Sequence, residues 1–399
     1  MVSRLDDPQP TFPLPPIEEI PDEVEDKPLK DKLIETRLGA LDLPPVIFGA
    51  ASFSAFYNAA DHVSGVIPVR TTRLALRYGI RAFDTSPYYG PSEIILGNAL
   101  KALEQEFPRS SYIIMTKCGR FGSDPASFDY SPKGVRASVQ RSLTRLHTSY
   151  LDNVYLHDVE FLANSVAPRL SGSHLGALGA EEEAYGLNEG QESKIWGEGD
   201  QKILGAIGEL RKMQEEGIIK NIGISGYSLP TLLRLTLLAL HTAPYKPLDT
   251  LLSYSHLDLQ NASLEAFLPA FYERAKLRQV LTASPFSMGL LTHSPPSWHP
   301  ASPEIKQAVV DVSQIVESWK GGLPDVALGY AFQRAKVQGM PIVVGLSTLK
   351  DVHESARTWK EIEGGSEEER SGRRKYEQDA RNLFEARGLL DHSWKTPSF

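Results

Sequence analysis

Short apolar runs alternate with longer segments of helical periodicity between residues 46 and 345. The runs are rich in β-branched residues, whereas the segments between them repeat apolar positions at i, i+3 and i+4. This alternation is typical of βα units that build a parallel sheet, and eight such units fit a closed barrel. The predicted strands cover residues 46–51, 81–86, 112–117, 153–157, 220–225, 250–254, 279–284 and 341–345.

The clearest helical periodicity covers residues 69–79, 92–105, 135–146 and 202–217. Ser131 precedes Pro132, which predicts an N-cap followed by proline in the first helical position. Gly217 closes its segment as a left-handed residue after a helix would. Upstream, the apolar and polar residues of 35–46 around Gly39 predict a short hairpin. The predicted fold is therefore an α/β TIM barrel, (β/α)8, with an N-terminal hairpin.

Three segments interrupt or flank this pattern. We expect residues 1–33, rich in Pro, Glu and Asp, to form a flexible tail, and residues 34–360 to form the barrel. Residues 163–200 lack apolar periodicity and predict an acidic, mobile loop insertion after the fourth strand, where it could flank an active site. Residues 361–399 predict a C-terminal helix and tail.

The composition limits the classes of partner. The net charge of −8 and the isoelectric point near 5.8 argue against nucleic acid and anionic membranes, which favour clustered Lys and Arg. No long apolar run or secretory pattern is evident, so we expect a cytoplasmic protein with a small-molecule substrate. Cys118 is the single cysteine, and no His or carboxylate spacing predicts a metal site. The sequence identifies no protein partner.

Four polar residues lie at or after the ends of predicted strands, where barrel enzymes place catalytic side chains. Asp84 lies near the end of the second strand, and Tyr89 follows in the next loop. Lys117 ends the third strand, and His157 ends the fourth. Tyr, Lys and His can each donate a proton, and a carboxylate can neutralise a buried ammonium.

The segment FDTSPYYGPSEIILGNAL, followed by TK at 116–117 and LH at 156–157, closely resembles the signature of the aldo-keto reductase family. The resemblance extends over roughly residues 34–357. It implies that Tyr89 is the general acid/base, that Lys117 lowers its pKa, that Asp84 holds Lys117, and that His157 orients the reacting oxygen. A phenol has a reference pKa near 10, so a nearby ammonium favours the phenolate.

The resemblance also implies a nicotinamide cofactor. Ser225, the last residue of IGIS at the end of the fifth strand, would bind the carboxamide, and Gly226 stands where many relatives have Asn, which leaves that second contact open. Tyr227 and Tyr254 are alternative residues to stack on the nicotinamide ring. No glycine-rich motif opens a helix after the first strand, so a Rossmann fold is the weaker interpretation.

The segment SPFSMGL at 284–290 would bring backbone N–H groups to the pyrophosphate. Its predicted contacts are Ser284, Phe286, Met288 and Gly289. After the eighth strand, Gly345, Ser347 and Thr348 would serve the adenosine end at a helix N-terminus. Asp351 stands near the position where NADPH-preferring relatives place Arg, which favours NAD. Lys350 and Arg357 are cations close to this position, so NADP remains an alternative cofactor.

The predicted substrate contacts are Trp298 and His299, because aromatic faces with hydrogen-bonding groups suit a sugar ring. Within the family, the sequence is most similar to the sugar 1-dehydrogenases that oxidise an aldose of the D-arabinose or L-galactose type at C1 to its lactone. An NADPH-dependent aldehyde reductase is the alternative enzyme. A nucleotide-binding regulatory subunit of the same fold is the alternative from another class. A packed loop anchor is the alternative role for Trp298.

Overall fold

The computed structural model describes Leu5 and residues 9–396 of the chain. Eight parallel strands form a closed barrel in which each strand pairs with the next and β1 pairs with β8. The strands are β1 Val46–Gly49, β2 Ala82–Asp84, β3 Ile113–Cys118, β4 Leu151–Leu156, β5 Ile219–Gly226, β6 Thr250–Tyr254, β7 Gln279–Ala283 and β8 Ile342–Gly345. The predicted TIM barrel and the order of its strands are confirmed.

Helices surround the barrel and extend beyond it at the C-terminus. They are α1 Ala60–Ser64, α2 Ile67–Tyr78, α3 Ser92–Ala102, α4 Pro132–Arg145, α5 Glu198–Glu215, α6 Leu229–Leu240, α7 Leu264–Pro269, α8 Pro303–Ile315, α9 Gly322–Val337, α10 Leu349–Gly364 and α11 Glu367–Ala386. α11 is the helix expected within 361–399, and residues 397–399 lie outside the described residues. Among the described residues, no helix is long and apolar enough to cross a bilayer.

Successive side chains along each strand point to opposite faces of the sheet, which divides the core into two layers. One set of apolar side chains fills the barrel lumen, with Ile47, Tyr155 and Leu281 among its members. The opposite set packs between the strands and the helices. Because parallel strands are covered on both faces, both sets are buried and the strands have near-continuous apolar sequences. Cys118 belongs to the outer layer, and burial raises the pKa of its thiol, which makes it a packing residue.

Local signals predicted from the sequence have the expected geometry. The Ser131 Oγ accepts a hydrogen bond from the Gly134 N–H, so Ser131 is the N-cap of α4. Gly217 has φ of 76° just after α5. Leu38 and Leu43 exchange two backbone hydrogen bonds in an antiparallel bridge, which forms the short N-terminal hairpin.

The N-terminal segment differs from the flexible tail expected over residues 1–33. Residues 1–4 and 6–8 lie outside the described residues, but the rest makes contacts with α2, α3 and α4. The Asp26 carboxylate is fully buried and accepts hydrogen bonds from Arg70 and Arg73. Ile20 is 4% exposed in the main core. Apolar anchoring and paired charge fix this segment, which composition alone does not indicate.

The insertion at 163–200 likewise packs on the barrel instead of extending away from it. Tyr185 and Leu187 are buried in the outer core. Asp200 is fully buried and paired with Arg234 of α6. Gly172 exchanges two backbone hydrogen bonds with Ser393 near the C-terminus. The insertion and the C-terminal segment therefore lie side by side.

Candidate active site

Asp84, Tyr89, Lys117 and His157 converge at the C-terminal end of the barrel. The Lys117 Nζ donates hydrogen bonds to the Asp84 Oδ2 at 2.6 Å and to the Thr85 backbone oxygen at 3.1 Å. It lies 4.8 Å from the centroid of the Tyr89 ring. The Tyr89 and His157 rings meet edge to face, with centroids 5.6 Å apart. Residues separated along the chain thus form one cluster at the ends of β2, β3 and β4.

The ionisation of Tyr89 differs from the sequence expectation. Burial raises the pKa of the Tyr89 phenol well above 10, and the Asp84 charge raises it further. The expected lowering by Lys117 is not seen, because Asp84 offsets the ammonium charge and desolvation disfavours a phenolate. With these neighbours, the protonated phenol is the favoured form of Tyr89.

His157 is a neutral imidazole. Burial lowers its pKa well below 6.5, and the charges of Lys117 and Arg120 lower it further. Its Nδ1 lies 2.9 Å from the Ser86 Oγ, and its Nε2 lies 3.5 Å from the Asp158 Oδ2. The carboxylate beside Nε2 favours the tautomer with hydrogen on that nitrogen. His157 can then donate a hydrogen bond while Ser86 fixes the orientation of its ring.

A buried ion pair next to His157 was missed by sequence reasoning. Arg120 and Asp158 pair directly, and their side chains are 8% and 5% exposed. The Arg120 guanidinium also lies 3.9 Å from the centroid of the Tyr88 ring. In the sequence, Arg120 follows the Thr-Lys strand end by three residues and Asp158 directly follows His157, so proximity to the motif was the available signal.

The segment after β4 brings the Glu160 carboxyl group to the end of β5, where it could bind a polar ligand. Ser225 is buried, and its Oγ donates to the Leu156 oxygen at 3.3 Å. The Glu160 Oε1 accepts from the Tyr227 N–H at 2.7 Å, whereas the buried Oε2 has no hydrogen-bond partner among the described residues. A Cβ on Gly226 would lie 2.1 Å from that oxygen. Glu160 thus fills the space that a side chain at 226 would need, which sequence could not predict.

The two tyrosines considered for stacking on the nicotinamide ring have different surroundings in the structure. Tyr227 is 1% exposed and stacks on Trp394 with centroids 4.4 Å apart. Its hydroxyl accepts a hydrogen bond from the Trp394 N–H. Tyr227 is therefore enclosed by the C-terminal segment, and Tyr254, at the end of β6, is the candidate that remains.

The loop after β7 has an unusual backbone. Ser284, Ser287, Met288 and Gly289 all have positive φ, between 49° and 90°. The N–H groups of Phe286 and Met288 donate no backbone hydrogen bond within the described part of the chain. Backbone donors left open in a turn can bind an anion, as expected for this segment.

The N-terminus of α10 differs from the expected phosphate site. The N-cap is Thr348, whose Oγ1 accepts from the Asp351 N–H, whereas Ser347 is not a cap. The Asp351 Oδ2 accepts from the N–H groups of both Ser347 and Thr348, at 2.9 Å each. This carboxylate occupies the donors predicted for phosphate, because a capping box satisfies them internally. Gly345 is exposed at the end of β8 with no atom near its missing Cβ.

The two cations that kept NADP open have different surroundings. Arg357 pairs with Asp325 and Glu361. Lys350 is exposed, with its nearest carboxylate, Glu354, at 3.7 Å. Only Lys350 of these two is therefore open to a phosphate.

The two predicted substrate residues also differ from each other. Trp298 is 47% exposed and meets Tyr57 of the loop after β1 edge to face. His299 is 2% exposed, and its ring nitrogens bind the Ser287 oxygen and the Ala301 N–H. Both ring nitrogens are thus engaged by backbone groups, so His299 anchors its loop, and its predicted role as a substrate contact remains a prediction.

Known proteins match this chain over most of its length. The family model "Aldo/keto reductase family" matches residues 45–368. The D-arabinose 1-dehydrogenase of Saccharomyces cerevisiae is 34% identical over 325 residues, covering 80% of this chain and 85% of that protein. The L-galactose dehydrogenase of Arabidopsis thaliana is 34% identical over 326 residues, covering 81% and 86%. The fold resembles the holo form of an aldo-keto reductase from Bacillus halodurans, with a TM-score of 0.58 and 19% identity over 87% of this chain and 96% of that one.

Proposed function

The chain belongs to the aldo/keto reductase family, and we propose that it oxidises an aldose at C1 to the aldonolactone with NAD as hydride acceptor. The arrangement of Tyr89, Lys117 and His157 around one point at the barrel end carries this proposal. The names of the two sugar dehydrogenases at 34% identity support an aldose of the D-arabinose or L-galactose type.

His157, Tyr89 and Lys117 have different roles in the proposed proton transfer. His157 donates from Nε2 to the C1 oxygen and orients it, and Tyr89 takes the hydroxyl proton. Lys117, held by Asp84, stabilises the phenolate that accepts this proton. A nicotinamide held at this end of the barrel would supply the acceptor for the hydride that leaves C1. The products are the lactone, the reduced cofactor and the proton.

Cofactor contacts are proposed from the same end of the barrel. Ser225 and Glu160 would bind the carboxamide, Tyr254 would stack on the ring, and the loop at 284–289 would bind the pyrophosphate. The unpartnered Glu160 Oε2 and the open N–H groups of the loop support this fit. Asp351 favours NAD, because its carboxylate places negative charge where a 2′-phosphate would lie.

Cofactor reduction tests the reaction. We expect absorbance of reduced NAD to appear with D-arabinose or L-galactose, and more slowly with NADP. Tyr89→Phe should abolish turnover while nucleotide binding, followed by fluorescence, is retained. Tyr272→Phe is the matched control, because its hydroxyl accepts a hydrogen bond from the Val280 N–H outside the cluster. Consumption of NADPH with simple aldehydes, without oxidation of any sugar, would favour the reductase alternative.

Cofactor preference has a separate test. Asp351→Asn keeps a side-chain oxygen for the cap and removes the charge. We expect kcat/KM with NADP to rise about tenfold relative to NAD, equivalent to about 1.4 kcal/mol. An unchanged ratio would show that Asp351 does not set the preference.

A further inference from the structure

The proposed proton transfer gives no role to the Arg120–Asp158 ion pair. Both side chains are buried at the active end of the barrel. Burying two charges is costly, and a buried pair often adds little to stability compared with apolar residues of similar size. Its presence beside the reacting group therefore calls for a role in binding.

Among the described residues, each group of the pair leaves one polar atom without a hydrogen bond. The Arg120 Nε donates to the Gly122 oxygen at 3.0 Å, and its Nη1 donates to the Asp158 Oδ2. Across the residues that the structure describes, Arg120 Nη2 and Asp158 Oδ1 make no hydrogen bond. The pair thus keeps one donor and one acceptor available to a ligand.

The position of the pair fixes which part of a substrate it can reach. The Asp158 Oδ2 lies 3.5 Å from His157 Nε2, the atom proposed to bind the reacting oxygen. The Arg120 guanidinium covers the Tyr88 ring, which in turn contacts Tyr89 with centroids 6.1 Å apart. A group bound by the pair would therefore be attached to the carbon next to the reacting carbon.

The backbone at Asp158 supports this assignment. Asp158 has φ of 53° and ψ of 60°, a left-handed conformation that non-glycine residues adopt at a cost. Such strain is concentrated at sites of function. At Asp158 this backbone conformation places the carboxylate beside the ring of the preceding residue, His157.

We propose that Arg120 and Asp158 form a clamp for the hydroxyl group on the carbon adjacent to the reacting carbon, and so select 2-hydroxy aldoses. A hydroxyl both donates and accepts, which matches a carboxylate oxygen and a guanidinium N–H side by side. This inference rests on the proposed oxidation at C1, where the adjacent hydroxyl is that on C2. A substrate without it leaves the Arg120 Nη2 and the Asp158 Oδ1 without the hydrogen bonds that the hydroxyl would supply.

A matched pair of sugars tests the clamp without any mutation. D-arabinose and 2-deoxy-D-ribose differ only in the C2 hydroxyl. We expect kcat/KM to be about 10²-fold lower for the deoxy sugar, equivalent to about 2.7 kcal/mol. If no aldose reduces NAD, the proposed function fails. If both sugars react equally well, the proposed function stands and the clamp is refuted.

Variants of Arg120 and Asp158 test whether the pair is the source of the selectivity between the two sugars. Asp158→Asn and the double variant Arg120→Met/Asp158→Asn should reduce the ratio between the two sugars to below about tenfold, with NAD binding unchanged. The double variant leaves neither charge alone, which limits unfolding. Asp152→Asn is the control, because it alters a similar Arg–Asp pair, with Arg109, at the opposite end of β4. A ratio retained in both variants, or lost equally in the control, would overturn the assignment.

Discussion

The buried carboxyl group of Glu160 should make the free energy of unfolding depend on pH, by an amount that follows from its raised pKa. Burial raises the pKa of its carboxyl group from 4.5 to about 8, and the charge of Asp158 acts in the same direction. The folded protein then binds a proton that the unfolded chain releases above pH 4.5. The stabilisation is fully present below that pH and is lost as pH rises through 8.

The magnitude follows from about 1.36 kcal/mol per pH unit per proton. Between about pH 5 and about pH 8, the free energy of unfolding should fall by about 4 kcal/mol through Glu160 alone. Glu160→Gln keeps the shape and an oxygen for the Tyr227 N–H but removes the titration. Its stability relative to wild type should therefore increase by that amount over the same interval.

Urea denaturation followed by tryptophan fluorescence at the two pH values measures this difference. Asp258 and Glu377, whose pKa values burial raises to about 7, affect both proteins alike and cancel. Glu215→Gln, at an exposed position of α5, should leave the pH dependence unchanged. If wild type and Glu160→Gln lose stability in parallel, the carboxyl is ionised at neutral pH and the reasoning is refuted.

Because burial raises the pKa of Tyr89 well above 10, the oxidation rate should increase from about pH 6 to about pH 10 while the rate of reduction, which needs the protonated phenol, stays level; an oxidation rate independent of pH in stopped-flow kinetics would contradict this. Asp26→Ala should lower the free energy of unfolding by about 3 kcal/mol in urea, because it removes the buried carboxylate that pairs with both Arg70 and Arg73; a loss no larger than for exposed Asp31→Ala would argue against anchoring. Gly119→Ala should cost at least about 2 kcal/mol in the same assay, since φ is 88° and a Cβ would lie 2.3 Å from a Tyr130 ring carbon.

The barrel itself could be predicted from local pattern. Strand runs such as 250–254 coincide with β6, since burial of both faces of a parallel sheet selects apolar residues along the whole run. Ser131 and Gly217 could be assigned in the same way, because caps depend on neighbouring backbone. Packing of residues 9–33 could not, because it depends on Asp26 meeting Arg70, 44 positions away.

At the site, the sequence determined the four residues of the cluster, since strand order in a barrel brings strand ends to one face. Tertiary structure decided the ionisation of Tyr89, the pairing of Arg120 with Asp158, and the filling of the space at Gly226 by Glu160. A pKa, an ion pair and a filled cavity depend on distances through space and on exclusion of water. These quantities arise only when distant parts of the chain are packed together, and no local pattern encodes them.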